Sequence, residues 1–217
     1  MHRSLAHVIR IGSRQRRIVP SNFNLRSDLT RRFLTQQETR RSAVADQLAQ
    51  VDSLLEPVDS NRETASRLEK AHDLLQAVEP LVGFRALFPD EPTTISPAVL
   101  ERCRALLQAW TQLPTLRPGL PQRAQHLMQR LPPSTRNTNA VLQLWANSHE
   151  AHRGSRAEKV FAQCAYPDDE TYRWIISAWA QSTERQRAHR ATMHLKRMSE
   201  PSLDLCRQVL ATWVTAE

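Results

Sequence analysis

Glycine is scarce in this chain, at four of 217 residues, and so are aromatic residues, at 6%. Folds built from tight β-hairpins need a residue with positive φ at most turns, and four glycines serve few of them. Runs of alternating β-branched residues are also missing, which disfavours a sheet sandwich on pattern as well. The three cysteines, Cys103, Cys164 and Cys206, are odd in number, far apart and without a Cys-x-x-Cys pair. That argues against a disulfide framework and a zinc site, and it points to a reducing interior. No apolar stretch approaches the roughly 18 uncharged residues that cross a bilayer, so no membrane insertion is expected. A glycine-rich phosphate loop, a nucleophile motif and the His-x-Glu…Pro-Cys-x-x-Cys signature of zinc deaminases are absent too. His149 and His152 flank Glu150 in a turn, yet no third ligand is visible, and a solvated loop is the better reading. The expectation is a protein that is no enzyme and holds neither metal nor cofactor.

What is present favours helix. Leu, Ala, Gln, Arg and Glu dominate from residue 42 onward, and the chain is expected to be all-α. The net charge of +8 is spread unevenly. Residues 1–41 hold ten arginines against Asp28 and Glu38, a net +8. Residues 42–101 carry four basic and eleven acidic side chains, net −7, and residues 102–217 carry sixteen against nine, net +7. A pI near 10.4 is therefore no proof of nucleic-acid binding, because the first zone reads as a leader. Its start, MHRSLAHVIRIGSRQRRIVP, is acid-free, with Leu5, Val8 and Ile9 opposite Arg3 and Arg10 on a helix. Residues 1–37 are expected to be a mitochondrial targeting, disordered segment, with a plastid as the alternative destination and an RNA-binding basic arm as the alternative role.

Residues 38–95 read as a pair of amphipathic helices and a linker. The first helix, 38–57, carries Val44, Leu48, Val51, Leu54 and Leu55 at helical spacing and ends at Pro57. The second, 60–82, opens on Ser60 with Glu63 as a capping box and presents Leu68, Ala71, Leu74, Leu75 and Val78. This pair is expected to cap one end of an array that fills residues 96–217.

The array announces itself through tryptophan. Trp110, Trp145, Trp179 and Trp213 are spaced by 35, 34 and 34 residues, inside LLQAWTQL, VLQLWANS, WIISAWAQS and VLATWV. Such a period marks a repeat of two helices per unit. First helices carry Leu106/Leu107/Trp110, Val141/Leu142/Trp145, Ile175/Ile176/Trp179 and Val209/Leu210/Trp213 as buried faces. Second helices carry Ala124/Leu127/Met128, Ala157/Val160/Phe161 and Ala191/His194/Leu195, with Ser155 and Glu158 as a capping box, and units close on Pro133, Pro167 and Pro201.

A hairpin of about 35 residues that ends in Pro167-Asp168 and restarts with Thr171-Tyr172 resembles the pentatricopeptide repeat. The best stretch is TRNTNAVLQLWANS…RAEKVFAQCAYPDDETYRWIISAWAQS. Tetratricopeptide repeats share the period but want a glycine eight residues into the first helix, which is missing here. The resemblance covers 100–217, as units 100–134, 135–168 and 169–202 with a partial unit 203–217. It implies an α-solenoid of helix-turn-helix repeats that holds one base of single-stranded RNA per unit, between the fifth and last residues. Those are Arg104 with Ser134, Asn139 with Asp168, and Arg173 with Ser202, followed by Arg207. Asn139 with Asp168 is the combination associated with uridine, whereas arginine at the fifth position suits phosphate contact or stacking. The second position, usually aliphatic in the family, is Glu101, Arg136, Glu170 and Asp204.

Three units could read about three bases, and any triplet recurs roughly once per 64 nucleotides, so one short chain does not select a transcript alone. The expected function is RNA binding inside a mitochondrial ribonucleoprotein, such as the ribosome or an RNA-processing complex. Its partners would be single-stranded RNA or rRNA and the other proteins of that complex. The alternative is a non-enzymatic helical scaffold for protein partners.

Overall fold

The computed structural model describes residues 23–56, 61–82 and 97–215. Among these the protein is all-α. Nine helices run in chain order: α1 (Phe23–Leu55), α2 (Asn61–Val82), α3 (Pro97–Thr111), α4 (Leu120–Gln129), α5 (Thr135–Asn147), α6 (Arg153–Phe161), α7 (Asp169–Ala180), α8 (Arg187–Leu195) and α9 (Leu203–Val214). The basic start, Pro57, Ser60 and the linker after α2 lie outside the described residues. The chain divides into two compact units, 1–41 and 42–217. Of the first, the described part is helix from Phe23, so α1 starts well before residue 38, where periodicity begins it.

In the second unit α3, α5, α7 and α9 pack one on the next, and α4, α6 and α8 each pack between two of them. Helix α2 lies against α3, where the His72 ring meets Trp110 at 5.3 Å between centroids. Leu48 and Val51 of α1 and Leu68, Ala71 and Leu75 of α2 join the same core. Local chemistry starts and stops these helices. Gly119, at φ +80°, holds the left-handed turn that leads into α4, and Pro121 sits in the first turn of that helix. Pro133, Pro167 and Pro201 fall between helices, each followed by the N-cap of the next: Ser134, Asp168 and Ser202. Asp168 accepts the Thr171 amide and Thr171 answers to the Asp168 amide, a full capping box. The expected box of Ser155 with Glu158 does not form. The Ser155 amide is taken by Glu184 at 2.9 Å, and Glu158 turns inward to Trp179 and His194.

The tryptophan period marks the core, with one exception. Trp110, Trp145 and Trp179 are buried together with Leu106, Leu107, Val141, Leu142, Ile175 and Ile176. In α9, Val209 is buried, but Leu210 and Trp213 are 64% and 49% exposed. Burial of these positions requires a following helix, and none among the described residues covers α9 on that side. Close approach fixes Gly154 at the start of α6, because a Cβ there would meet Trp179 Cε3 at less than 3 Å. Two arginines then clamp consecutive first helices. Arg153 donates to the Ser148 carbonyl at the end of α5 and to the Gln181 carbonyl after α7. Arg187 repeats this with Ser182 at 3.2 Å and with the Thr215 carbonyl after α9. A cation bound to helix C-terminal carbonyls satisfies orphan acceptors and opposes the dipole's negative end.

Candidate nucleic-acid interface

The residues assigned to nucleotides lie midway along α3, near the starts of α5, α7 and α9, and at the joints just before those last three helices. One pair meets. Asn139 Nδ2 donates to Asp168 Oδ1 at 3.1 Å, across a sequence distance of 29 residues. The same nitrogen reaches Glu170 Oε2 at 3.3 Å. Carboxylates only accept, so two of them fix the amide with its NH2 toward Asp168 and Glu170 and its Oδ1 toward Thr171. Thr171 Oγ1 stands 2.7 Å from both Asn139 Oδ1 and Asp168 Oδ1, with one hydrogen for the two. Burial opposes the charge on Asp168. The hydrogen bonds from Thr171 and Asn139 outweigh it and hold that carboxyl below its usual range. Asn139 is 5% exposed and Thr171 fully buried, so this cluster also welds α5 to α7.

The arginines behave otherwise. Arg104 pairs with Glu101, Arg173 with Glu170 at 3.5 Å, and Arg207 with Asp204 at 3.3 Å, each one helical turn apart. Arg173 also lies over the Trp174 ring at 4.9 Å, and the Trp174 indole donates to Glu170. Thus the acids at the second position neutralise the arginines at the fifth. In the unit of Asn139 the order is reversed, for there the second position is Arg136, exposed and without an ion-pair partner among the described residues. Exposed pairs at this spacing contribute at most about 0.5 kcal/mol, so a phosphate can take the arginine from its acid. No hydrogen bond joins Arg104 to Ser134 or Arg173 to Ser202 among the described residues; Ser202 instead caps α9 through the Leu205 amide at 3.3 Å.

Sequence reasoning missed Glu170 and Thr171 as members of the Asn139 cluster. Asp168-x-x-Thr171 is a legible capping signal, whereas the reach of Glu170 to Asn139 depends on how α5 and α7 pack. No group of three or more His, Cys, Asp or Glu side chains placed to hold a metal occurs among the described residues. Cys103 is buried, which pushes its thiol up to about 11 and keeps it protonated. No helix among the described residues is long and apolar enough to cross a membrane. Set against known proteins, the chain matches no family model, no curated protein and no solved structure.

Proposed function

We propose that this chain is a helical-repeat protein of the pentatricopeptide kind, an α-solenoid that binds single-stranded RNA as a subunit of a mitochondrial ribonucleoprotein. The Asn139–Asp168 hydrogen bond carries the reading, because the two residues that the resemblance assigns to one nucleotide meet with the amide turned by carboxylates. With its NH2 engaged, Asn139 has an acceptor lone pair left on Oδ1, and the N3–H of uracil is a donor. At 5% exposure Asn139 yields to a base only after its neighbours move, so base selection is weak and affinity rests on phosphate contacts. The serial packing of α3, α5, α7 and α9 supports the solenoid and spaces the arginines of successive units along it. The test is filter binding of the full chain to short homopolymers across a salt series. Binding that prefers oligo(U), with the preference lost in Asn139→Ala, supports the reading; no binding at low salt refutes it.

A scaffold for protein partners is the second reading. It is favoured by α9, which exposes Leu203 and Val214 as well as Leu210 and Trp213. A contiguous apolar face of this kind commonly marks a protein contact. Under that reading the full chain retains a protein partner and binds no RNA.

A further inference from the structure

Tyr166 is 84% exposed, the highest value of any large apolar side chain among the described residues. It stands at a groove between the end of α4, the start of α5 and the turn after α6, lined also by Pro132, Pro133, Ser134, Thr138 and Gln163. The backbone beneath the ring is held: the Tyr166 carbonyl accepts from Thr135 Oγ1 at 3.0 Å, and the Gln163 and Cys164 amides bond back into α6. A fixed main chain that keeps a ring in water presents an aromatic surface, and keeping it there forgoes the burial a tyrosine would gain in a core. The surroundings narrow the occupant. Ser134 makes no capping bond, which leaves its hydroxyl to the groove. Arg136, the cation without a carboxylate partner, follows Thr135 directly, and Asp168 follows Tyr166 by two residues.

An aromatic face with polar edges is the complement of a nucleobase, and a cation one residue beyond the lining, Arg136, is that of its phosphate. We propose that this groove is a nucleobase-stacking subsite, in which one base of a single-stranded RNA lies on the Tyr166 ring while its phosphate meets Arg136, beside the Asn139–Asp168 pair. The inference rests on the RNA-binding reading above and adds to it a residue that the repeat periodicity does not single out.

The experiment compares the full chain with Tyr166→Leu and Tyr166→Phe by anisotropy of a labelled oligo(U), with thermal melts alongside. Because the ring is exposed, both variants should melt with the wild type. Tyr166→Leu should weaken binding about fivefold or more, the loss of one stacked base, and Tyr166→Phe should stay within about twofold. RNA carrying 4-thiouridine should crosslink within residues 163–168. If the wild type binds RNA and Tyr166→Leu binds equally well, the subsite is overturned while the RNA reading stands. If the wild type binds no RNA, both fall. Crosslinks from residues 163–168 to protein in place of RNA would make the groove a protein-docking surface and also overturn the proposal.

Discussion

Trp179 Nε1 donates to Glu158 Oε2 over 2.7 Å, and the same oxygen meets His194 Nε2 at 2.9 Å. Burial works against ionisation of Glu158, but these two bonds prevail and hold its carboxyl below the usual value. The arrangement recurs one unit later, where Trp213 Nε1 donates to Thr192 Oγ1 at 3.0 Å. Glu158 and Thr192 each follow the alanine of a second helix, Ala157 and Ala191. In α4 the residue after Ala124 is Gln125, and the buried Nε1 of Trp145 has no partner among the described residues. A carboxylate accepts at both oxygens where the amide accepts at one, so Gln125→Glu is expected to satisfy that donor and stabilise the chain by about 1 kcal/mol, a rise of roughly 2–4 °C in melting temperature. A fall on scanning calorimetry would show that the indole is better left alone. Trp145→Ala, by contrast, should cost about 3–5 kcal/mol as a core truncation.

The clamps of Arg153 and Arg187 make a second prediction. Helix α4 opens on Leu120 where α6 opens on Arg153 and α8 on Arg187, so the clamp is built into two joints. Arg153→Gln should cost about 1–3 kcal/mol, because the carbonyl of buried Ser148 loses a charged donor. Hydrogen exchange should quicken at the ends of α5 and α7 and leave α3 unchanged. Uniform quickening along the chain would mean that the arginine acts on global stability and not on the joint.

Acid should loosen the contact between α5 and α7. The Asp168 pKa is depressed by folding, so its stabilisation is complete above the ordinary value of 3.8 and is lost as pH falls through the lower folded value. Melts from pH 6 to pH 2 should show Asp168→Asn, which keeps a cap acceptor but loses the charge, less stable at pH 6 by up to about 1 kcal/mol, the margin of a charge-assisted over a neutral hydrogen bond, with a flatter decline below pH 4. Parallel curves for the two proteins would remove Asp168 from the acid response.

Arg136 should matter more to RNA than any arginine already held by an acid. Arg136→Gln is expected to lower the salt slope of single-strand binding by about 0.7, one phosphate contact. Arg104→Gln should change it less, since a cation already held by Glu101 has less charge to offer a phosphate. Equal slopes for both variants would mean that the ion pairs open completely on binding.

A reporter fused to residues 1–40 should enter mitochondria, given the acid-free arginine-rich start. Reporter fluorescence in the cytosol or nucleus would remove the organelle from the proposed function without touching the RNA claim.

Much of this molecule is local chemistry, and local chemistry is legible in the order of residues. The tryptophan period, the prolines ahead of Ser134, Asp168 and Ser202, and the helix-forming composition place α3 to α9 because each depends on neighbours within one or two turns. The pairing of Arg104, Arg173 and Arg207 with the acids three residues earlier is legible for the same reason, although the spacing has to be taken together with the charge. Tertiary packing decided the features that depend on distant partners. Leu210 and Trp213 belong by sequence to the buried set of Ile176 and Trp179, yet they are exposed because burial is supplied by a following helix and not by the residue itself. Glu158 reads as a cap and becomes the acceptor of Trp179 and His194, since the approach of α6, α7 and α8 puts those donors within 3 Å of its carboxylate. The orientation of Asn139 was settled likewise, by carboxylates 29 and 31 residues away whose positions exist only once α5 and α7 have packed.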